Sequence, residues 1–337
     1  MTPYAPPSSG RAGKLRLDFN ENTVGCSPRV VEYLRRQISP ERLAVYPEYE
    51  EIKPQLAEFF RVRPDQFVLT NGTDEAIQLL LHTYVGEGDE VVVLKPSYAM
   101  YKFYSQVAGA VVREVEYPAD LTFPLDRVIE AVTPATRAVL LANPNNPTGT
   151  GISMAAIERV LKRSRRAAVL FDEAYFEFCG VTALGMLDDN PNLFVSRTFS
   201  KIYGLAALRI GCLFSQHPNT FLLHKAQSPY SVNMLAALAA CEAVKDRGYI
   251  ASYVTEVLAA RELMCVGLEK MGIPYFPSQG NFVLFRVGKR AIEIRDKLRA
   301  AGILVRDRSY EIAGCVRATV GTREQTRRFL STLGEIW

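Results

Sequence analysis

"RTFSKIYGLAALRIG", residues Arg197–Gly211, sets one lysine in a run of small and apolar residues, with an arginine eight positions further on. Lys201 has Ser200, Ile202, Gly204, Leu205 and Ala206 as near neighbours, not the charged partners of a surface helix. Such an amine has two physical fates. Either its stem is buried and its charge reaches water, or it is desolvated, so that its proton affinity falls and it can attack a carbonyl. The stretches around it set the fold in which this choice is made.

From about residue 65 to 215, short β-branched runs alternate with helical patterns. The strand candidates are "FVLT" from Phe67, "EVVVL" from Glu90, "AVVREV" from Ala110, "AVLLA" from Ala138, "AAVLFD" from Ala167, "LFVSR" from Leu193 and "GCLF" from Gly211. Between them, "DEAIQLLLHTYV", "YAMYKFYSQVAG" and "MAAIERVLKRS" carry apolar residues at helical spacing. Continuously apolar strands separated by helices predict an α/β fold with a mostly parallel sheet covered on both faces. Ligands of such sheets bind at the carboxyl ends of the strands.

After "SPYSVN", the amphipathic stretch Met234 to Met271 predicts one long helix, or two broken near Gly248. "NFVLFRV", "AIEIRDKLRAAG", "ILVRD", "CVRATVG" and "REQTRRFLSTLGEI" then read strand, helix, strand, strand, helix. That is a smaller α+β unit. A chain of 337 residues exceeds one simple core. The expected division is an N-terminal arm and part of the small domain over 1–40, a large α/β domain over 41–232, and an interdomain helix with a C-terminal small domain over 233–337. Residues 1–16 read as a flexible arm.

Composition narrows the partners. The chain is 48% hydrophobic and 23% charged with a net charge of +4, and its Lys and Arg are scattered among Asp and Glu. That pattern predicts no nucleic-acid or membrane partner, while small anionic substrates need only local arginines. Six cysteines without a C-x-x-C pair predict reduced, mostly buried thiols in the cytoplasm. The three histidines have no metal-ligand spacing. The Pro/Ser-rich start "MTPYAPPSSGRAGK" has no apolar signal region.

Four stretches at strand ends hold more polar groups than structure alone asks for. In "LTNGTDEAIQLL" a strand runs through Asn71-Gly72-Thr73-Asp74 into a helix, giving either an anion site on free amides or a plain N-cap. "ANPNNPTGTG" fixes Asn143, Asn145 and Asn146 in a rigid turn. "AVLFDEAYFEF" ends an apolar strand on Asp172, with Tyr175 three residues on. A carboxylate there either caps the next helix or meets a cation that offsets its burial. The fourth is the stretch around Lys201. Together they describe a ligand with a phosphate, a cationic ring nitrogen, a ring oxygen and an aldehyde. Pyridoxal phosphate carries these groups. Asp172 would hold its pyridinium protonated so that the ring accepts electrons, and Asn146 and Tyr175 would bond its ring oxygen. Gly72, Thr73, Asp74, Ser200 and Arg209 would cradle its phosphate, and Lys201 would take its aldehyde.

With these residues in place, the sequence resembles the fold-type I, pyridoxal-phosphate-dependent aminotransferases, and among them the histidinol-phosphate aminotransferases. The likeness runs from about Leu17 to the C-terminus. It is carried by "LDFNENTVGCSP", "YPEYEEIKPQLAEFF", "LTNGTDEAI", "KPSYAMY", "NPNNPTGTG", "FDEAYFEF", the opening stretch, "GNFVLF", "GILVRD" and "VRATVGTRE". The resemblance implies that Tyr98 stacks on the cofactor ring and that Arg306 and Arg317 bind the anionic end of the substrate. It implies a homodimer with shared sites, in which Tyr46 reaches the cofactor phosphate of the neighbouring subunit. The implied activity is ping-pong transamination between an amine and a 2-oxo acid, histidinol phosphate and 2-oxoglutarate, in histidine biosynthesis. Two rivals share much of the pattern: an aromatic or broad-specificity amino acid aminotransferase, and a phosphothreonine decarboxylase-like lyase.

Overall fold

The computed structural model describes residues 10–337. Residues 1–9, most of the expected arm, lie outside the described residues. The seven expected strands all form, as β2 (Phe67–Thr70), β3 (Glu90–Lys95), β4 (Val111–Glu116), β5 (Thr136–Ala142), β6 (Ala168–Asp172), β7 (Leu193–Thr198) and β8 (Gly211–Phe214). They make one sheet in the order β2-β8-β7-β6-β5-β3-β4. Pairing is parallel from β7 through β6, β5 and β3 to β4, and antiparallel where β8 meets β7 and β2. The strand between two antiparallel neighbours leaves β2 running with the parallel set. One edge of the sheet therefore collects the carboxyl ends of β2, β3, β5, β6 and β7 and the start of β8.

The sequence explains the covering layers. Every residue of β2, β6, β7 and β8 is buried, as strands with helices on both faces require. Helices Gly72–Tyr84, Ala99–Val107 and Met154–Arg163 fall on the expected patterns. Met234 to Met271 is two helices, Met234–Lys245 and Arg247–Lys270. The break is at Asp246, not Gly248, because the Asp246 carboxylate accepts from the Tyr249 amide at 3.2 Å and starts the second helix.

Four further strands, β9 (Tyr275–Phe276), β10 (Phe282–Arg286), β12 (Arg306–Asp307) and β13 (Cys315–Thr319), form an antiparallel sheet in the order β12-β13-β10-β9. "ILVRD" is not one strand. Its first two residues form β11 (Ile303–Leu304), which pairs in parallel with β1 (Leu15–Arg16). Residues 10–16 are thus not a loose arm. The Leu15 and Leu17 amides donate to Gly302 and Leu304 carbonyls at 2.9 and 2.8 Å, and Arg11 bonds Asp18 and Glu21. The two backbone bonds tie residues 15–17 to β11. Among the described residues, Cys212, Cys241 and Cys315 are buried while Cys26, Cys179 and Cys265 are only partly so. No described helix is long and apolar enough to cross a membrane.

Candidate active site

A cavity of about 330 Å³ opens at the carboxyl edge of the large sheet. Its walls bring together Thr73, Asp74, Tyr98, Asn146, Asp172, Tyr175, Ser200, Lys201, Arg209, Arg306 and Arg317. Two expected site residues are not among them. Gly72 lies beneath Arg209, and Tyr46 stands outside, 74% exposed and stacked on Tyr230 with ring centroids 4.5 Å apart.

Asp172 closes β6, and its carboxylate is almost wholly buried. Tyr101 donates to its Oδ2 at 2.8 Å and Ser196, from neighbouring β7, to its Oδ1 at 2.9 Å. Burial pushes this carboxyl up to about 6, against the pull of the two hydroxyls. No guanidinium or ammonium pairs with it among the described residues. A buried carboxylate held by neutral donors favours a protonated ring nitrogen as its missing partner.

Lys201 lies just beyond β7 and projects into the same space, where its Nζ donates to the Phe19 carbonyl at 3.0 Å. The turn that carries it is fixed from below. Gly204 has φ near 70°, and a Cβ there would stand 2.6 Å from the backbone of Gly25 and Cys26. Asn22 donates its amide to the Ile202 carbonyl at 2.9 Å. The segment "NENTVGC" therefore acts as the seat of the lysine turn.

Arg209 adopts a left-handed backbone, φ 56°, immediately before β8. Its guanidinium meets Asp74 at 3.2 Å and Ser200 Oγ at 3.4 Å. It lies flat over Gly72, where a Cβ would stand 2.5 Å from Nη2. Gly72 thus serves the cradle by being absent from it. Thr73 and Asp74 sit on the first turn of helix Gly72–Tyr84, where free amides and the helix dipole favour an anion. Tyr98 also lines the cavity and donates to Asp74 at 2.7 Å. Burial, and then Asp74, holds its phenol well above the ordinary tyrosine range.

Tyr175 accepts from Asn20 Nδ2 at 3.0 Å and Asn146 Nδ2 at 3.3 Å. With both acceptor positions engaged, its O–H proton is what it has left to offer a ligand. Asn146 also accepts from Arg317 Nη1, so one amide links guanidinium to phenol. Asn145, by contrast, is structural: it accepts from Ser97 and donates to Pro96 and Thr148. Asn143 is structural too, bonded to the Ile152 backbone.

Arg317 and Arg306 face each other across β12 and β13 as register partners. Arg317 is 4% exposed and its Nε has no partner. Its bonded neighbours are Asn146 and the Asp18 carbonyl, neither of them charged. Burial, and then the positive charge of Arg308, lowers it to about 10. A guanidinium kept this way is strongly disposed toward an anion. Arg306 lies 5.8 Å over the Phe19 ring.

Sequence reasoning missed Tyr101, Ser196, Asn20 and Arg308. Tyr101 follows Tyr98, the N-cap of its helix, by three residues, and their rings meet edge to face with centroids 5.7 Å apart. Arg308 follows Arg306 by two on an extended segment, the same-face spacing of a strand.

The site's parts fit pyridoxal phosphate. A lone buried carboxylate suits the ring nitrogen, a phenol donor the ring oxygen, and Lys201 the aldehyde. Arg209, Ser200 and a helix N-terminus suit the phosphate. The family profile "Aminotransferase class I and II" matches residues 12–333. The histidinol-phosphate aminotransferase of Symbiobacterium thermophilum is 35% identical over 99% of this chain and 95% of its own. That of Dehalococcoides mccartyi strain BAV1 is 36% identical over 96% and 90%. The crystal structure of the Sinorhizobium meliloti histidinol-phosphate aminotransferase in complex with pyridoxal 5′-phosphate superposes with a TM-score of 0.88 at 25% identity, covering 95% of this chain and 90% of that one. The chain belongs to the class I and II aminotransferases.

Proposed function

We propose that the protein is a pyridoxal-phosphate-dependent transaminase that moves an amino group between histidinol phosphate and 2-oxoglutarate, as in histidine biosynthesis. The observation that carries the reading is the single cavity shared by Lys201, Asp172 and Arg317. The similarity to histidinol-phosphate aminotransferases over nearly the whole chain supports the substrate. So does the chemistry, because histidinol phosphate offers a phosphate ester where glutamate offers carboxylates, and guanidinium forks accept either anion.

Pyridoxal phosphate, when bound, supplies an aldehyde carbon and a ring that draws electrons from the bond to be broken. The chain supplies the rest. Asp172 holds the proton on the ring nitrogen, which keeps the ring electron-poor. Tyr175 donates to the ring oxygen, and Asn146 fixes that phenol. Tyr98 would stack on the ring, and Thr73, Asp74, Ser200 and Arg209 would hold the phosphate, with Gly72 leaving room. Lys201 Nζ would act as general base toward the proton on the substrate Cα and as general acid toward the former aldehyde carbon of the cofactor. Arg317 and Arg306 fix the anionic end of the substrate so that Cα meets that amine.

The working unit we propose is a homodimer in which Tyr46 of the partner subunit reaches the cofactor phosphate. Its position outside its own chain's cavity supports this, as do the exposed apolar neighbours Leu43 and Val45. Small-molecule amines and 2-oxo acids are the partners, in the cytoplasm. The division near residue 233 is supported by the separation of the seven-stranded from the four-stranded sheet.

The test mixes the cofactor-loaded protein with histidinol phosphate, glutamate or phenylalanine and follows the cofactor's visible band. Conversion to the pyridoxamine form by the first two is expected, with 2-oxoglutarate then accepting the amino group and restoring the original band. Conversion by phenylalanine alone would replace this reading with an aromatic aminotransferase. Release of carbon dioxide without need of an oxo acid would replace it with a lyase.

A further inference from the structure

The cavity has a third guanidinium. Arg308 is 8% exposed and lines the same wall as Arg306 and Arg317. Its backbone amide bonds the Cys315 carbonyl at 2.9 Å, which continues the β12–β13 ladder by one step. Positions 306 and 308 alternate onto one face of that ladder, and Arg317 is the register partner of Arg306. The three arginines therefore share a face.

Their partners differ. Arg317 is held by neutral groups. Arg308 instead grips Glu311, Nη2 to Oε2 at 2.6 Å, and donates from Nη1 to the Tyr310 hydroxyl at 2.9 Å. Its Nε is buried without a partner. Burial pushes the Glu311 carboxyl up, while Arg308, Arg317 and Arg306 pull it down. Glu311 is thus a counter-group that the chain itself sets against Arg308, behind the cavity lining.

Two charges on a substrate need more than one fork. A glutamate α-carboxylate engages one guanidinium, and its distal carboxylate needs another. A phosphate monoester carries close to two charges and presents three acceptor oxygens. We propose that Arg308 is a specificity-determining residue that binds the distal anionic group of the substrate, carboxylate or phosphate monoester, and releases Glu311 to do so. The inference rests on the transaminase reading of this cavity, but not on histidinol phosphate as the substrate.

The experiment uses the cofactor-loaded full chain and three donors: glutamate and histidinol phosphate with a distal anion, phenylalanine without one. Half-saturation is read from the rate of conversion of the visible band. Binding of succinate, which has two carboxylates and no amine, is read from the shift of the same band. R308Q is expected to raise half-saturation about 10-fold for both anionic donors and for succinate, the loss of about 1.4 kcal/mol. Phenylalanine should stay within about 2-fold, and R308K should restore part of the loss. E311Q should act oppositely and tighten succinate, because it removes the internal competitor. Equal weakening of all three donors by R308Q would mean that Arg308 only supports its neighbours, and no change in any would mean that it has no role. Either result overturns the proposal. If R308Q fails to hold cofactor, E311Q decides alone, and no tightening refutes the exchange. A wild-type protein inert to histidinol phosphate would remove that substrate while the comparison of glutamate with phenylalanine still judges Arg308.

Discussion

Tyr101 donates its hydroxyl to Asp172 across 2.8 Å inside the core, from a helix that starts at the end of β3 to the last residue of β6. The bond holds a buried carboxylate in its ionised form, the form a protonated ring nitrogen requires. Y101F removes one donor and leaves Ser196 as the remaining hydroxyl. A hydrogen bond to a charged group contributes about 1.5–3 kcal/mol, so turnover should fall at least about 10-fold while the cofactor's visible band persists. Wild-type half-reaction rates in Y101F would show the hydroxyl to be dispensable.

Asp172 also makes a pH signature. Its carboxyl is raised to about 6 chiefly by burial, so the folded, cofactor-free protein binds a proton that the unfolded chain has already lost. The resulting stability is full below about 4, the ordinary carboxylate range, and is lost as pH rises through 6. D172N lacks this dependence. The melting temperature of D172N minus that of wild type should increase from pH 4 to 7, by the equivalent of at most about 3 kcal/mol. A difference that is flat in pH would show that Asp172 is not burdened by burial. The same variant should lose transamination.

Lys201→Ala should still bind pyridoxal phosphate through Arg209, Ser200 and the helix start. It should lack the visible band of the lysine-bound cofactor and lose turnover by several orders of magnitude. Spectrophotometric titration and steady-state assay check the two halves. Full activity would end the scheme.

Gly204→Ala tests the seat of the lysine turn. The new Cβ would meet backbone atoms of Gly25 and Cys26 at 2.6 Å, in a left-handed conformation. Backbone cannot swing aside as a flexible side chain does, so the cost should be about 1–3 kcal/mol of stability. Denaturant unfolding measures it. Cofactor affinity should fall too, since the turn that carries Lys201 is displaced.

Much of this was legible in the chain. The inner strands of the large sheet announce themselves as apolar runs because both of their faces are covered, whereas the edge strand β4, "VVREVE", is largely exposed and carries charge. The lysine, the aspartate and the phosphate-end residues stand out as polar groups where such runs stop. The two-residue strands β1, β9, β11 and β12 are too short for any period to show, and β1 and β11 pair from opposite ends of the described residues. Phe19 is 182 positions from the lysine it bonds, and no local pattern encodes such a meeting. Arg308 was within reach: its two-residue step from Arg306 is a strand spacing, hidden by the brevity of β12.

The arginines proposed to meet the substrate stand on β12, β13 and the residue just after β12, while the aspartate ends β6 and the lysine lies just beyond β7, in another sheet. Recognition and reactivity are therefore written in separate passages of the gene. A descendant could acquire a different diet by rewriting the stretch from 303 to 319, and its inherited chemistry would need no revision.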